Sequence, residues 1–217
     1  MTDGKMTVSL ADVVYEQVER DILTGVYRRG DVLTELRLSN QLHVSRTPIR
    51  EALRRLEQDD LVEYRGKSIV VMGVTHQDLL DILEIRLRLE GLATAMCCSR
   101  ITPRELTALD EIVTMQDFYV SRDLPDRIQE SDSRFHQTIY AACGSRVFEK
   151  QLTGLHKRLV RYRKLSVSNQ RRALESTGEH KEIFQALAAG DAERAEALAV
   201  RHVERARDNI LHAEAGQ

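Results

Sequence analysis

The sequence predicts a mainly α-helical chain in two parts: a small N-terminal domain of three helices and a β-hairpin, then an all-α bundle of six or seven helices. Three observations support this fold class. Apolar residues recur with helical spacing in three short segments before residue 58. Two short β-type segments then flank a Gly-bearing turn. After residue 75 no strand pattern appears, and almost every boundary signal is that of a helix.

The first predicted helix precedes a short turn at Gly25. Its apolar residues follow a helical period and are Leu10, Val13, Val14, Val18, Ile22 and Leu23.

The second and third helices flank His43-Val44-Ser45, as in a helix-turn-helix. Ser45 is a good N-cap, and Pro48 lies in the first turn, where a missing N–H costs little. The third helix has an apolar stripe at Ile49, Leu53 and Leu56. Its neighbouring face carries Arg46, Arg50 and Arg54. This pattern indicates a DNA recognition helix, and the alternative is an amphipathic surface helix whose arginines serve solubility.

The two β-type segments, residues 61–64 and 68–71, surround Arg65-Gly66-Lys67. They predict a hairpin with a basic turn. A basic hairpin directly after a recognition helix is a wing, placed to contact the neighbouring groove or backbone. The N-terminal part is therefore predicted to be a winged helix-turn-helix domain, residues 1–74 including a linker near Met72–Thr75.

The C-terminal part, residues 75–217, is predicted to be the helical bundle. Thr102 with Glu105 forms a capping-box pattern, Gly144 and Gly190 suit helix C-termini, and Asp191 is placed to cap the last helix. Residues 167–178 are polar and are expected to be irregular. The predicted helices are 76–99, 103–121, 125–143, 146–166, 179–189 and 192–212.

Bulk properties restrict the class of protein. The 217 residues allow two modest domains, and a net charge of −2 argues against a generic polyanion binder. No segment approaches 18 apolar residues and no export signal is visible, so we expect a cytoplasmic protein without a membrane partner. Cys97, Cys98 and Cys143 do not suggest a disulfide framework, and the adjacent pair is expected to be buried filler.

A second group of candidate residues lies in the bundle. Asp132 and His136 are four residues apart, on one face of a helix. His180 and His202 lie on two other predicted helices. Carboxylate oxygens and imidazole nitrogens bind divalent transition metals, and bundle cores build such sites from facing helices. The alternative is that these are hydrogen-bonded core histidines, since the chain has seven. The other histidines, His43, His76, His156 and His212, lack ligand-spaced partners and are expected to be structural or solvated.

The N-terminal stretch LTGVYRRGDVLTELRLSNQLHVSRTPIREALRRLEQDDLVEYRGKSIVV resembles the DNA-binding domain of GntR-type bacterial transcription regulators. The most specific part is VSRTPIREAL followed by RLE. The chain departs from the family pattern where His43 replaces a turn glycine and Leu36 replaces a polar residue, with Arg37 next to it. The resemblance implies DNA contacts from Arg37, Ser45, Arg46, Thr47, Pro48, Arg50, Arg54, Gly66 and Lys67.

Segments EIRLRLEGLA, DSRFHQTIY and EHKEIFQALAAGDAERAEALAVRHV resemble the FCD ligand-binding domain. The resemblance implies that Asp132, His136, His180 and His202 hold a metal ion, for which zinc, nickel and manganese are suitable. It also implies a small organic or sugar acid as the effector, bound through its carboxylate at an open metal position. Arg86 matches an arginine that faces the same cavity, where a guanidinium suits a carboxylate. The alternative for Arg86 is a surface ion pair with Glu90.

Three hypotheses about function remain at this point. The first is a metal-dependent, effector-responsive regulator, most simply a repressor, that binds a palindromic double-stranded DNA operator as a homodimer. The second is a helical metalloenzyme tethered to DNA, but no motif such as HExxH supplies a base beside bound water, so no catalytic residue is assigned. The third is a constitutive DNA-binding dimer without an effector. We expect the first, a regulator that is not an enzyme.

Overall fold

The structure, a computed structural model, describes residues 9–167 and 170–215. The chain divides into two compact units, with the boundary in the sequence between His76 and Gln77.

The N-terminal unit contains three helices and a three-stranded antiparallel sheet. Helix α1 spans Leu10–Leu23, α2 spans Glu35–Leu42 and α3 spans Arg46–Gln58. Strand β1 is Val32–Leu33, β2 is Val62–Arg65 and β3 is Ser68–Val71, in the order β1-β3-β2. The predicted hairpin is confirmed as β2 and β3. The short β1 was not predicted, because its two residues form a strand only through pairing with β3.

The core of this unit confirms the apolar stripe of the third helix, since Ile49, Leu53 and Leu56 are all fully buried. The stripe of α1 differs from the prediction, because Leu10 and Val13 are exposed. The buried face of α1 is instead formed by Ala11, Val14, Val18, Ile22 and Leu23. Leu10 and Val13 lie near the start of α1, outside this buried face.

Residue 43 is a histidine where the pattern described above has a turn glycine, and it lies in the turn between α2 and α3. His43 has φ 55° and ψ 38°, the left-handed conformation that closes many helices and that glycine adopts most easily. A histidine accepts this conformation at some cost, which is smaller than for β-branched residues. Ser45 does precede α3 as predicted, but its side chain makes no capping hydrogen bond in this structure.

The C-terminal unit is all-helical. The described residues form seven helices here, within the predicted range of six or seven. They are α4 (His76–Cys98), α5 (Pro103–Ser121), α6 (Pro125–Ala142), α7 (Arg146–Arg158), α8 (Val160–Val167), α9 (Gln170–Ala188) and α10 (Ala192–Ala215). The capping box of Thr102 with Glu105 is confirmed, and Asp191 accepts a hydrogen bond from the backbone N–H of Arg194. None of the helices in the described part is long and apolar enough to cross a membrane.

Two boundaries differ from the prediction. The helix expected over 146–166 is interrupted at Leu159, which separates α7 from α8. The irregular segment expected over 167–178 is wrong for Val167, which ends α8, and for residues 170–178, which belong to α9. Residues 168 and 169 lie outside the described part. The buried residues of this first half of α9 include Arg172 and Thr177, so the segment has no apolar period that would reveal a helix.

The three cysteines are free thiols. Cys97 and Cys143 are buried and Cys98 is half-buried. Burial raises the pKa of Cys97 to about 12, so its thiol stays protonated at neutral pH and is poorly reactive. The expectation of a structural role therefore holds for Cys97.

Candidate DNA-facing surface and metal centre

The residues predicted to contact DNA lie on the helix-turn-helix and its hairpin, and all of them except Pro48 are exposed. Arg46, Thr47, Arg50 and Arg54 are exposed on α3, and Pro48 is half-buried in its first turn. Arg37 is exposed on α2 and Ser45 directly before α3. Gly66 and Lys67 form the exposed turn of the hairpin, where Gly66 has φ 65°.

Arg50 makes a contact that the sequence analysis did not foresee. Its Nε and Nη2 donate to the two carboxylate oxygens of Glu35, each at 2.8 Å. A two-point contact of this kind fixes the plane of the guanidinium. Glu35 belongs to α2, so this ion pair joins the two helices of the motif at their exposed side.

Three histidines from three helices converge in the core of the bundle. His136 lies on α6, His180 on α9 and His202 on α10, and all three are buried. Their candidate ligand nitrogens all lie within 4.8 Å of one another. The Nε2 atoms of His136 and His202 are 3.3 Å apart. Two nitrogens at the usual Zn–N distance and a tetrahedral angle are separated by about 3.3 Å.

The donor set fits a divalent transition metal in two further respects. The Nε2 of His180 is buried and has no hydrogen-bond partner among the described residues, so it is free to act as a ligand when the ring proton is on Nδ1. Burial and the neighbouring His136 hold the pKa of His202 at about 4, although its contact with Glu179 acts in the opposite direction. Burial also lowers the pKa of His180 well below its ordinary value. Both imidazoles are therefore neutral at pH 7, which is the metal-binding form.

Asp132 lies beside two of these histidines. Its Oδ1 is 3.6 Å from Nε2 of His180 and 3.9 Å from Nε2 of His136. Its Oδ2 forms an ion pair with Arg163 of α8, whose guanidinium also contacts His156. Burial lowers the pKa of Arg163 to about 9, so it remains a cation at pH 7. The carboxylate of Asp132 thus has a buried positive partner on the side away from the histidines.

Each ring nitrogen on the outer side of the three histidines faces an acceptor. His202 Nδ1 is 2.7 Å from Glu179 Oε2, and His180 Nδ1 is 2.9 Å from Gln116 Oε1. His136 Nδ1 is 3.4 Å from Glu90 Oε2. Gln116 and the roles of these two glutamates were not predicted from the sequence. Glu90 and Gln116 lie on helices that are distant in sequence from their histidines. Glu179 contacts His202 and not His180, its neighbour in the sequence.

Arg86 is buried and forms an ion pair with Glu90. The i, i+4 pair of the alternative interpretation therefore exists, but it is buried in the bundle and not on a surface. Arg86 also lines a cavity with Asp132, His136 and His202. Two further arginines that the sequence analysis did not single out, Arg163 and Arg172, line the same cavity.

The cavity is small, about 30 Å³. This is enough for one water molecule or an ion, but not for an organic acid. A larger ligand can enter only if lining side chains move.

The fourth buried histidine, His156, lies against this group, with its ring centroid 5.1 Å from that of His136. Burial lowers its pKa well below the ordinary value. It is a buried structural neighbour of the site, whereas His43, His76 and His212 are exposed.

Comparison with known proteins agrees with this architecture. The family described as bacterial regulatory proteins, gntR family, matches residues 10–71, and the FCD domain matches residues 81–205. The solved structure of E. coli McbR/YncC has a TM-score of 0.81 at 22% identity, covering 94% of this chain and 98% of that one, which shows a shared fold.

Relatives of known sequence are transcriptional regulators and not enzymes. YcbG of Bacillus subtilis, named an uncharacterized HTH-type transcriptional regulator, is 32% identical over 219 residues, which cover 94% of this chain and 91% of YcbG. The gluconate operon transcriptional repressor of Bacillus licheniformis is 29% identical over 118 residues, which cover 54% of this chain and 49% of that protein. The chain therefore belongs to the GntR family of bacterial DNA-binding transcription regulators, with an FCD domain as its C-terminal part.

Proposed function

We propose that the chain is a repressor whose operator affinity is controlled by a small organic or sugar acid, bound at a metal site in the FCD domain. The observation that carries this proposal is the convergence of three buried imidazole nitrogens in a cavity lined by arginines. A site of this composition has no evident purpose in a helical unit that only dimerises.

The metal would be held by Asp132, His136, His180 and His202, and zinc, nickel and manganese all suit three imidazoles and a carboxylate. When bound, a divalent ion supplies a Lewis-acidic position at which a carboxylate can bind. Arg86, in the wall of the same cavity, would then face the effector. Because the cavity is small, effector entry requires Arg86, Arg163 or their neighbours to change rotamer.

The DNA-contacting residues would be Arg37, Ser45, Arg46, Thr47, Pro48, Arg50, Arg54, Gly66 and Lys67. A homodimer would set two copies of α3 on the two half-sites of a palindromic operator. Since the operator is chromosomal, the proposed location is the cytoplasm. Repression as the direction of control is supported by the name of the gluconate operon relative.

The effector can change DNA affinity only if it binds one arrangement of the protein better than another. A coupling of about 1–3 kcal/mol, or roughly 5–150-fold in affinity, is ordinary for such regulators. The metal residues would then serve the response to the effector and not DNA binding itself, because they belong to a different compact unit from α3.

The test uses an operator selected from random DNA and organic and sugar acids screened by thermal shift. Chelation and Asp132→Ala should both abolish release of operator by the acid found, while leaving operator affinity unchanged. Asp110→Ala, which removes an exposed carboxylate from α5, is the matched control and should release DNA like the wild type. An Asp132→Ala variant that still releases DNA at the wild-type acid concentration would show that the effector binds elsewhere.

A further inference from the structure

Each of the three histidines of the proposed metal site has an acceptor side chain at its Nδ1, and none of these acceptors is a proposed metal ligand. The three acceptors are Glu90 on α4, Gln116 on α5 and Glu179 on α9. All three are buried. Their partners are the Nδ1 atoms of His136, His180 and His202, respectively.

A neutral imidazole carries one proton, on either Nδ1 or Nε2, and the hydrogen bond at one nitrogen selects the tautomer. An acceptor at Nδ1 favours the proton there and leaves a lone pair on Nε2. In this chain all three acceptors select the same tautomer. The Nε2 atoms would then present lone pairs to one another, and the Nε2 of His180 has no hydrogen-bond partner among the described residues.

The two glutamates are themselves fixed. Both carboxylate oxygens of Glu179 accept from Arg172 at 2.9 Å, and Arg205 donates to it at 3.0 Å. Glu90 is held by Arg86. Each glutamate is thus an oriented acceptor with little freedom to turn away from its histidine.

We propose that Glu90, Gln116 and Glu179 are positioning residues that preset the metal-binding tautomer of the three histidines before any ion enters. The inference rests on the proposed metal site and deepens it. It also assigns a role to Arg86 and Arg172 in the absence of effector, because their ion pairs orient the two glutamates. Substitution of such outer partners typically lowers metal affinity about 10- to 100-fold.

Gln116 offers the sharpest test, because it is neutral and its replacement leaves no buried charge without a partner. Gln116→Met keeps the size of the side chain and removes the acceptor, whereas Gln116→Glu keeps an acceptor. We expect Gln116→Met to weaken Zn²⁺ binding about 10- to 100-fold, and Gln116→Glu to restore most of it. The measurement is competition for Zn²⁺ against a chelating dye, with metal-stripped full-length protein.

The position of the imidazole proton on His180 distinguishes a positioning role of Gln116 from a purely structural one, because loss of packing alone would not change the tautomer. In long-range ¹H–¹⁵N spectra of metal-free wild type at pH 7, the imidazole of His180 should carry its proton on Nδ1. In Gln116→Met this preference should be lost.

The charged partners are tested with Glu179→Gln, which keeps an acceptor for His202. The control is Glu182→Gln, since Glu182 is an exposed residue of α9 paired with Arg201 of α10. Glu179→Gln should preserve the tautomer of His202, and Glu182→Gln should change neither the tautomer nor the Zn²⁺ affinity.

Two failures are distinguishable. Wild-type protein that binds no Zn²⁺, Ni²⁺ or Mn²⁺ after reconstitution would overturn the proposed metal site and the positioning role with it. Wild-type protein that binds the ion, with Gln116→Met binding it equally well and keeping the Nδ1 proton on His180, would overturn only the positioning role. A metal-free wild type with the proton of His180 on Nε2 would also overturn it.

Discussion

Arg50 illustrates how a single residue of the proposed recognition helix is oriented by its neighbours. Its guanidinium is held in one plane by Glu35 while its surface remains exposed. Hydrogen bonding to Glu35 raises the pKa of Arg50 further above its ordinary value, so the group is a permanent cation. A planar, oriented guanidinium suits two-point recognition of guanine in the major groove.

Arg50→Ala should therefore weaken binding to the selected operator by about 1–3 kcal/mol, if the side chain reads a base. Fluorescence anisotropy at one fixed salt concentration measures the change. Arg104→Ala removes the same charge from an exposed position on α5 and serves as the control. Wild-type affinity in the Arg50→Ala protein would refute the assignment of α3 as the recognition helix.

Lys67 should behave differently, because we propose that this exposed lysine at the turn of the hairpin contacts phosphate and not a base edge. Lys67→Ala should weaken operator and random-sequence DNA to a similar degree and reduce the slope of log affinity against log salt by about 1. Binding measured from low to moderate salt on both DNAs checks this. A loss of affinity confined to the operator would show instead that Lys67 contacts a base.

At the scale of helices, cap residues allowed many boundaries to be predicted, as Thr102 and Asp191 show. The first half of α9 could not be predicted in this way. Its inward face carries Arg172 and Thr177, and Arg172 is satisfied by an ion pair with Glu179 that only the folded bundle creates. A helix buried by ion pairs has no apolar periodicity.

The same reasoning applies to the candidate site. Asp132 and His136 were identifiable because their spacing of four residues is local. Glu90 and Gln116 were not, because each meets its histidine across helices that are distant in sequence. Arg163 was missed for the same reason, since nothing in its local sequence connects it to Asp132.

The contact between α4 and α10 depends on a glycine. A Cβ added at Gly91 would lie 2.6 Å from Cγ2 of Val200 and 3.1 Å from Cγ of Glu196. Gly91→Ala should therefore destabilise the protein, by about 1–3 kcal/mol, as is usual for overpacking. The comparison is Gly154→Ala in α7, where a Cβ meets nothing within 4 Å.

Gly154→Ala should stabilise by about 0.5–1 kcal/mol, because alanine loses less backbone entropy than glycine in a helix. Urea unfolding of the two variants beside wild type gives both values. We expect Gly91→Ala to lower the free energy of unfolding and Gly154→Ala to raise it. Equal stabilisation by both would mean that α4 and α10 do not approach closely at Gly91.

For the whole molecule, the proposed DNA-contacting residues and the proposed metal ligands lie in different compact units of the chain. A change at the metal site should leave the winged helix-turn-helix domain folded, since its core is formed from its own residues, including Leu33, Leu38 and Leu53. In a homodimer on a palindrome, protection of the operator should extend over two half-sites about 34–36 Å apart or a multiple of that distance.

The most direct measurement is the metal content of the purified, reconstituted protein, determined by mass spectrometry and by titration of metal-stripped protein with Zn²⁺, Ni²⁺ and Mn²⁺. We expect one ion per chain in wild type and much less in His180→Ala and His202→Ala, with operator binding retained in both variants. A wild-type chain that holds no ion after reconstitution, or variants that hold as much as wild type, would contradict the proposed metal site.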